Sequence, residues 1–137
     1  MSTGELLWDK TIQVSPDPEF HVYCREVFID NKDQIYVCGQ VSEIINGVGT
    51  NKNYGFLIKY TAEGNLIWQT QTDPEYSVYY ERVRSDGETE QTVVFGRYDE
   101  YDINDNYVGT YGILTKYSKN GDVVWSCLLY TSDAADE

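Results

Sequence analysis

The stretch "YGFLIKYTAEGNLIW" at Tyr54–Trp68 recurs 57 residues later as "YGILTKYSKNGDVVW" at Tyr111–Trp125. Nine of its fifteen positions are identical or exchange only isoleucine, leucine and valine. "GELLW" at Gly4–Trp8 repeats the end of the same stretch a third time. Self-similarity at a fixed period is typical of repeat architectures, so the chain is predicted to consist of similar structural units.

Two further pairs of segments extend the repeat. "DPEFHVYCREV" at Asp17–Val27 aligns with "DPEYSVYYERV" at Asp73–Val83 at an offset of 56. "IYVCGQ" at Ile35–Gln40 aligns with "TVVFGR" at Thr92–Arg97 at an offset of 57. The change of offset predicts that the turn beginning at Asp86 is one residue longer than its counterpart in the first unit.

Each unit contains four strand candidates, joined by segments rich in Asn, Asp and Gly, and no segment has a helical period of useful length. Alternation along the third candidate predicts that Tyr54, Phe56, Ile58 and Tyr60 share one face of a sheet and that Leu57 and Lys59 share the other. The segment "SEIINGVGTNKN", residues 42–53, is predicted to be a loop. In the first unit the strand candidates are Val22–Asp30, Gln34–Val41, Tyr54–Thr61 and Asn65–Thr72.

A unit of about 57 residues with four antiparallel strands indicates a propeller blade. The motifs "DNKDQIYVCG" and "KYTAEGNLIW", with their second copies "DGETEQTVVFG" and "KYSKNGDVVW", resemble the bacterial seven-bladed β-propeller repeat family over residues 4–126. Asp33 departs from that pattern, which has glycine there. The resemblance implies an all-β fold of two four-stranded antiparallel blades, an incomplete β-propeller.

The resemblance also implies a division of the chain. Residues 1–13 are the last strand of a preceding blade, 14–72 the first blade and 73–126 the second. One tryptophan recurs at the same strand position in each unit, and this recurrence predicts a structural role at the interface between blades. The residues assigned to structural roles are Trp8, Trp68, Trp125, Gly39 and Gly96.

The last eleven residues, "CLLYTSDAADE" at 127–137, do not continue the repeat and resemble the translation of a transposase-type sequencing adapter. We hypothesise that this tail is not evolved sequence. Its potential ligands and nucleophiles, Cys127, Asp133, Asp136 and Glu137, are therefore assigned to no site. The segment Cys127–Tyr130 nevertheless suits a strand.

The net charge of the chain makes some classes of binding partner unfavourable. Acidic residues outnumber basic ones 23 to 10, giving a net charge of −13, which disfavours nucleic acid and anionic lipid. No apolar run approaches the ~20 residues of a membrane span, and "MSTGELLWDK" shows no signal-peptide pattern, so no compartment is assigned. Because a blade needs neighbours, the expected partners are further blades of the same protein, together with a protein or glycan ligand.

The recurring "DPE" segment precedes the first strand of each unit. Its residues Glu19 and Glu75, with the neighbouring Tyr76 and Tyr79, are candidates for a ligand-facing loop. The alternative interpretation is that the loop only connects one unit to the next.

A cluster of polar residues, "DEYDINDN" at Asp99–Asn106, resembles part of a calcium loop. Asp102, Asn104 and Asn106 have the alternate spacing, but Tyr107 and Ile113 occupy the places of the required Gly and Glu. The segment is interpreted as a solvated loop, and no cofactor or metal is assigned.

Thiols and the single histidine receive no functional role. Cys24 and Cys38 align with Tyr80 and Phe95, so both are interpreted as core residues on opposite faces of a hairpin, unable to form a disulfide. His21 has no second histidine or cysteine pair nearby and is expected at the surface.

These features favour a non-catalytic β-propeller fragment that acts as a binding or scaffolding surface. One alternative is a truncated propeller enzyme, either quinoprotein-like or acting on polysaccharides. Another is a structural repeat of a bacterial surface protein. The fold alone does not distinguish these classes, because propeller sites use residues from several blades.

Overall fold

The computed structural model describes residues 4–12, 20–73 and 76–129. Residues 4–12 form no regular element, and no helix in the described ranges is long and apolar enough to cross a bilayer. The remaining residues form the strands β1 (Phe20–Ile29), β2 (Ile35–Ile45), β3 (Val48–Tyr60), β4 (Leu66–Gln71), β5 (Ser77–Ser85), β6 (Thr92–Tyr101), β7 (Tyr107–Tyr117) and β8 (Val123–Leu129).

The strands form two four-stranded sheets. The first sheet has the order β1-β2-β3-β4 and the second has the order β5-β6-β7-β8. Every pair of neighbours is antiparallel, because short turns join consecutive strands. The predicted all-β class and the two four-stranded antiparallel sheets are confirmed.

The first hairpins of the two sheets share an irregularity. A β-bulge interrupts the β1–β2 ladder and the β5–β6 ladder at corresponding positions. At these bulges a Cβ atom on Gly39 would lie 1.9 Å from the carbonyl oxygen of Tyr23, and one on Gly96 would lie 2.0 Å from that of Tyr79. Both positions therefore require glycine, because any side chain would collide with the neighbouring backbone.

The turns after β1 and β5 differ in length. The Asp30 N–H donates to the carbonyl of Gln34 at 3.0 Å, whereas the Asp86 N–H donates to that of Gln91 at 3.2 Å. The second turn is thus one residue longer, and the explanation of the two repeat offsets is confirmed.

The prediction of a loop over residues 42–53 is wrong. β2 continues to Ile45 and β3 begins at Val48, and only Asn46–Gly47 lies between them. Both turn residues have positive φ, 53° and 78°, the conformation that fits a two-residue hairpin to twisted strands. Likewise, the first three residues of the predicted loop Asp99–Asn106 belong to β6. Polar residues on both faces of these extensions concealed the period of two.

Two apolar clusters lie on opposite faces of the first sheet. The first cluster fills the space between the sheets, with contributions from both. The second cluster contains Tyr54, Phe56, Ile58 and Tyr60, with Ile12 packed against it, so the predicted alternation along β3 is confirmed. The face of the first sheet that the second sheet covers is called the covered face. Its residues are Tyr36, Cys38, Leu57, Lys59 and Trp68.

The sequence predicts that residues 1–13 form the last strand of a preceding blade. Residues 4–12 are not paired with any strand in the structure, so this strand stays a prediction. Cys127–Leu129 do pair, as part of β8. The remainder of the tail lies outside the described residues.

Candidate functional site

A large concave surface lies at the end of the molecule where the β2–β3 and β6–β7 hairpins project. This cavity, here called the hairpin groove, has a volume of about 1050 Å³. Its walls include Glu43 and Lys52 from the first hairpin and Tyr101 and Ile103 from the second. Tyr76, at the entry to β5, lies between them. The two strand extensions that the sequence did not reveal build these walls.

Aromatic rings provide much of the apolar surface of the hairpin groove. The Tyr76 and Tyr98 ring centroids lie 6.1 Å apart in the lining, and Tyr98 is also 6.1 Å from Tyr111, which is not a lining residue. Phe20 and Tyr54 form another tilted pair, at 6.1 Å. Burial raises the pKa of Tyr98, so its hydroxyl is neutral at physiological pH.

The carboxylates of the hairpin groove bind groups of their own hairpins. Glu43 Oε1 accepts a hydrogen bond from Thr50 Oγ1 at 2.8 Å. Asp99 Oδ1 accepts one from Thr110 Oγ1 at 2.8 Å and lies 3.3 Å from Arg97 Nε. These carboxylates are held in place rather than presented as free bases. Together with Asp102 and Asp105 they outnumber Lys52, so the lining is negatively charged.

The calcium-loop candidates form a turn. Asp102 Oδ1 accepts hydrogen bonds from the backbone N–H groups of Asn104 and Asn106, at 2.8 and 2.9 Å. These bonds hold the pKa of Asp102 below its usual value. The carboxylate thus closes the turn between β6 and β7. Across the described ranges, no three His, Cys, Asp or Glu side chains are grouped so as to hold a metal ion.

The "DPE" candidates separate in the structure. Tyr76 lines the hairpin groove, but Tyr79 lies outside it, with the guanidinium carbon of Arg97 4.2 Å from its ring centroid. Glu19 and Glu75 lie outside the described residues. Sequence reasoning missed Tyr98 and Tyr101, although the Asn46–Gly47 signal for a long hairpin could have indicated the groove.

A second cavity, of about 490 Å³, lies beside the buried ion pair between Lys59 and Glu90. The Lys59 side chain is only 1% exposed, its Nζ lies 3.0 Å from Glu90 Oε1, and it lies 5.5 Å from the ring centroid of Tyr36. Glu90 Oε2 is also 3.2 Å from Lys119 Nζ. Hydrogen bonds to Lys59 and then Lys119 lower the pKa of Glu90 to about 2. Each charge of this pair is therefore compensated by a neighbouring charge of opposite sign.

The thiols follow the prediction only in part. Cys38 is fully buried between the sheets, and burial raises the pKa of its thiol to about 12, so it is no nucleophile. Cys24 is exposed, which corrects its assignment to the core: it lies on the face opposite to Cys38, and in the described part of the chain the second sheet covers only the Cys38 face. Their opposite faces are confirmed, since Cys24 stands across from Gly39 and Cys38 from Glu26. His21 lies exposed on β1, as expected.

The tryptophans occupy equivalent places with different surroundings. Trp68 Nε1 donates to the carbonyl of Lys119 at 2.8 Å, joining the two sheets. Trp8 Nε1 donates to the carbonyl of Ala62 at 3.2 Å. Trp125, on β8, is 42% exposed. Trp68 thus contacts both sheets, whereas Trp125 does not lie in a core, and the role of the tryptophans between blades stays a prediction.

Comparison with protein-family models and with curated proteins gives no match for this chain.

Proposed function

We propose that this chain is a two-blade part of a non-catalytic β-propeller and that the hairpin groove is its binding surface for a positively charged protein segment. The blade interpretation is supported by two sheets with the same strand order and bulge position. It is further supported by indole contacts that recur once per unit, from Trp8 and Trp68.

The observation that carries the binding role is the combination of volume, aromatic surface and charge in one groove. Tyr76 and Tyr98 offer an apolar surface made of two tilted rings, and tyrosine is favoured at binding surfaces because it buries a large area with few rotatable bonds. Among the described lining residues the four carboxylates outnumber Lys52, and this net negative charge attracts a basic ligand and repels an acidic one.

The non-catalytic assignment is supported by the state of the groove's carboxylates. Glu43, Asp99 and Asp102 each accept a hydrogen bond from a hydroxyl or backbone group of their own hairpin. A general base needs a pKa near the working pH, but the pKa of Asp102 is lowered instead.

A labelled lysine-rich peptide, followed by fluorescence anisotropy at low and high salt, tests the binding role. We expect binding that weakens with salt, because the attraction is partly between exposed charges. Tyr76→Ala should weaken it about tenfold by removing an aromatic contact. Tyr23→Ala is the matched control. Tyr23 is also an exposed tyrosine, but it lies on β1 outside the groove, so this variant should leave binding unchanged.

Two results would contradict this proposal. One is equal loss of binding in the Tyr76 and Tyr23 variants, which would place the contact elsewhere. The other is binding of a neutral oligosaccharide, but not of the peptide, with dependence on Tyr76, which would assign a glycan ligand.

A further inference from the structure

The second sheet has an apolar face directed away from the first sheet. In the strand register, Phe95 stands across from Leu114, and Lys116 stands across from Val93 and Trp125, so these side chains share that face. Phe95 is 41% exposed and Trp125 42%. These five residues, Val93, Phe95, Leu114, Lys116 and Trp125, are called the outer face. Each lies 57 positions after a member of the covered face.

The covered face has a residue pattern similar to that of the outer face, and its contacts show what kind of surface can pack against that pattern. Its Trp68 indole donates to the Lys119 carbonyl and lies against Gly121, where an added Cβ would be 2.8 Å from the ring. Gly121 has a φ of 87° and belongs to the turn Ser118–Asp122. A strand-borne tryptophan therefore fits a glycine turn of the next sheet.

The chain also contains a second turn of this kind. In Thr61–Asn65 the Thr61 N–H donates to Asn65 O at 2.8 Å, and the Gly64 N–H donates to Thr61 O at 3.0 Å. The corresponding bonds of the turn under Trp68 measure 2.7 and 3.0 Å. Gly64 also has a φ of 87°, and Trp8 occupies this turn with the same indole geometry. The turn thus accepts an indole from outside its own sheet.

Charge supports the same pairing of surfaces. On the covered face, Lys59 binds Glu90, which follows β5 in a left-handed conformation with a φ of 58°. The counterpart of Lys59 on the outer face is Lys116, and the counterpart of Glu90 is Asp33, with a φ of 62°. Two copies of the chain can therefore meet with Lys116 on the outer face of one copy and Asp33 on the first sheet of the other.

We propose that the outer face binds a second copy of this chain, head to tail. Trp125 of one copy enters the turn Thr61–Asn65 of the second copy in place of that copy's Trp8, and Lys116 faces the second copy's Asp33. The exposed Val27 and Ile29 on β1 of the second copy lie on the side that would be covered. Such a contact uses two different surfaces, so it leads to rings or filaments. The inference rests on the blade stacking of the proposed function and not on the hairpin groove.

Sedimentation velocity over a concentration series, with three single variants, tests the contact. Trp125→Ala should raise the dissociation constant at least about tenfold, because it removes the inserted indole. Trp8→Ala should lower it, because it vacates the receiving turn. Tyr23→Ala, at a 38% exposed tyrosine outside both surfaces and outside the hairpin groove, is the control and should change nothing. Urea unfolding of each variant verifies that it is folded.

A charge exchange determines the direction of the contact. Lys116→Glu and Asp33→Lys should each weaken association, because each places like charges opposite one another. An equimolar mixture of the two variants should associate again, since every contact in an alternating assembly then pairs opposite charges. Monomers of the natural chain and of Trp8→Ala at every concentration would overturn the inference, as would a loss of association in Trp8→Ala equal to that in Trp125→Ala. Peptide binding at the hairpin groove would be unaffected by either result.

Discussion

Leu57 on β3 and Leu114 on β7 hold the same place in two sheets of the same strand order, but their surroundings differ. Leu57 is fully buried beneath the second sheet, with Cys38 beside it. Leu114 is only half-buried, and Phe95 beside it is exposed. Burial at these positions is therefore decided by whether another sheet lies on top and not by the sequence of the strand itself.

The lysines of the two faces differ in the same way. Lys59 is fully buried and paired with Glu90, whereas Lys116, across from Trp125, is half-buried. A lysine in a mostly apolar row is tolerated when the covering sheet supplies a carboxylate. The same residue pattern thus yields an internal ion pair in one sheet and a surface charge in the other.

The largest loss of stability is expected at the bulge glycines, which the two sheets have in common. Gly39→Ala and Gly96→Ala each place a methyl group within 2.0 Å of a backbone oxygen, so both should lower the free energy of unfolding by more than about 3 kcal/mol. Urea denaturation followed by circular dichroism measures both. A large loss at only one of the two glycines would show that the bulges are not equivalent.

The next largest loss of stability should differ between the covered face and the outer face. Leu57→Ala removes a fully buried side chain and should lower the free energy of unfolding by about 3 kcal/mol. Leu114→Ala, the matched variant, should cost about 1 kcal/mol or less, because the lost side chain already contacts water. Both are measured in urea at low protein concentration, so that association contributes nothing. Equal losses would mean that the outer face is covered in solution.

Removing the carboxylate that the second sheet supplies should leave Lys59 buried without its anion. Glu90→Gln should lower the free energy of unfolding by about 2 kcal/mol, less than for a fully buried pair because the Glu90 side chain is 15% exposed. Asp33→Asn, at the matched place in the first sheet, is the control and should change it by less than about 0.5 kcal/mol. A similar loss for Asp33→Asn would contradict the assignment.

Acid should reveal the same ion pair. The pKa of Glu90 is about 2 in the folded chain and 4.5 for the unperturbed group. Its stabilising contribution is therefore fully present above about pH 4.5 and is lost as the pH falls toward 2. Unfolding measured between these pH values should show a smaller decrease for Glu90→Gln than for the natural chain. Parallel curves would exclude Glu90 as the group responsible.

The smallest effect concerns the tryptophans. Trp68→Phe keeps a ring but removes the N–H that binds the Lys119 carbonyl, so the free energy of unfolding should fall by about 1 kcal/mol. Trp125→Phe should leave it unchanged at concentrations where the chain is monomeric. Thermal and urea unfolding together measure the difference. A loss at Trp125 as large as that at Trp68 would indicate an intramolecular partner for Trp125.

Several features of the site were not predictable from local patterns. The period of two is clear in Tyr54–Tyr60, where apolar residues alternate, but it fades in the ends of β2 and β6 beyond the core. Those ends form the walls of the hairpin groove. Tyr76 was a candidate for a ligand-facing loop because it lies in a repeated segment, whereas Tyr98 joins it only through packing across strands.

The amino-acid sequence alone determined the local structure: the strand alternation, the turn chemistry, the glycines at the bulges and the extra residue in the turn after β5. These depend on interactions between residues close in the chain or directly opposite in a hairpin, so a repeated pattern produces a repeated shape. Only the tertiary structure decided which of the two equivalent faces became a core, why Cys38 is buried and Cys24 is not, and which lysine has a buried partner. Those outcomes depend on a neighbouring sheet, and two closely similar sequence patterns do not indicate which of the two sheets has such a neighbour.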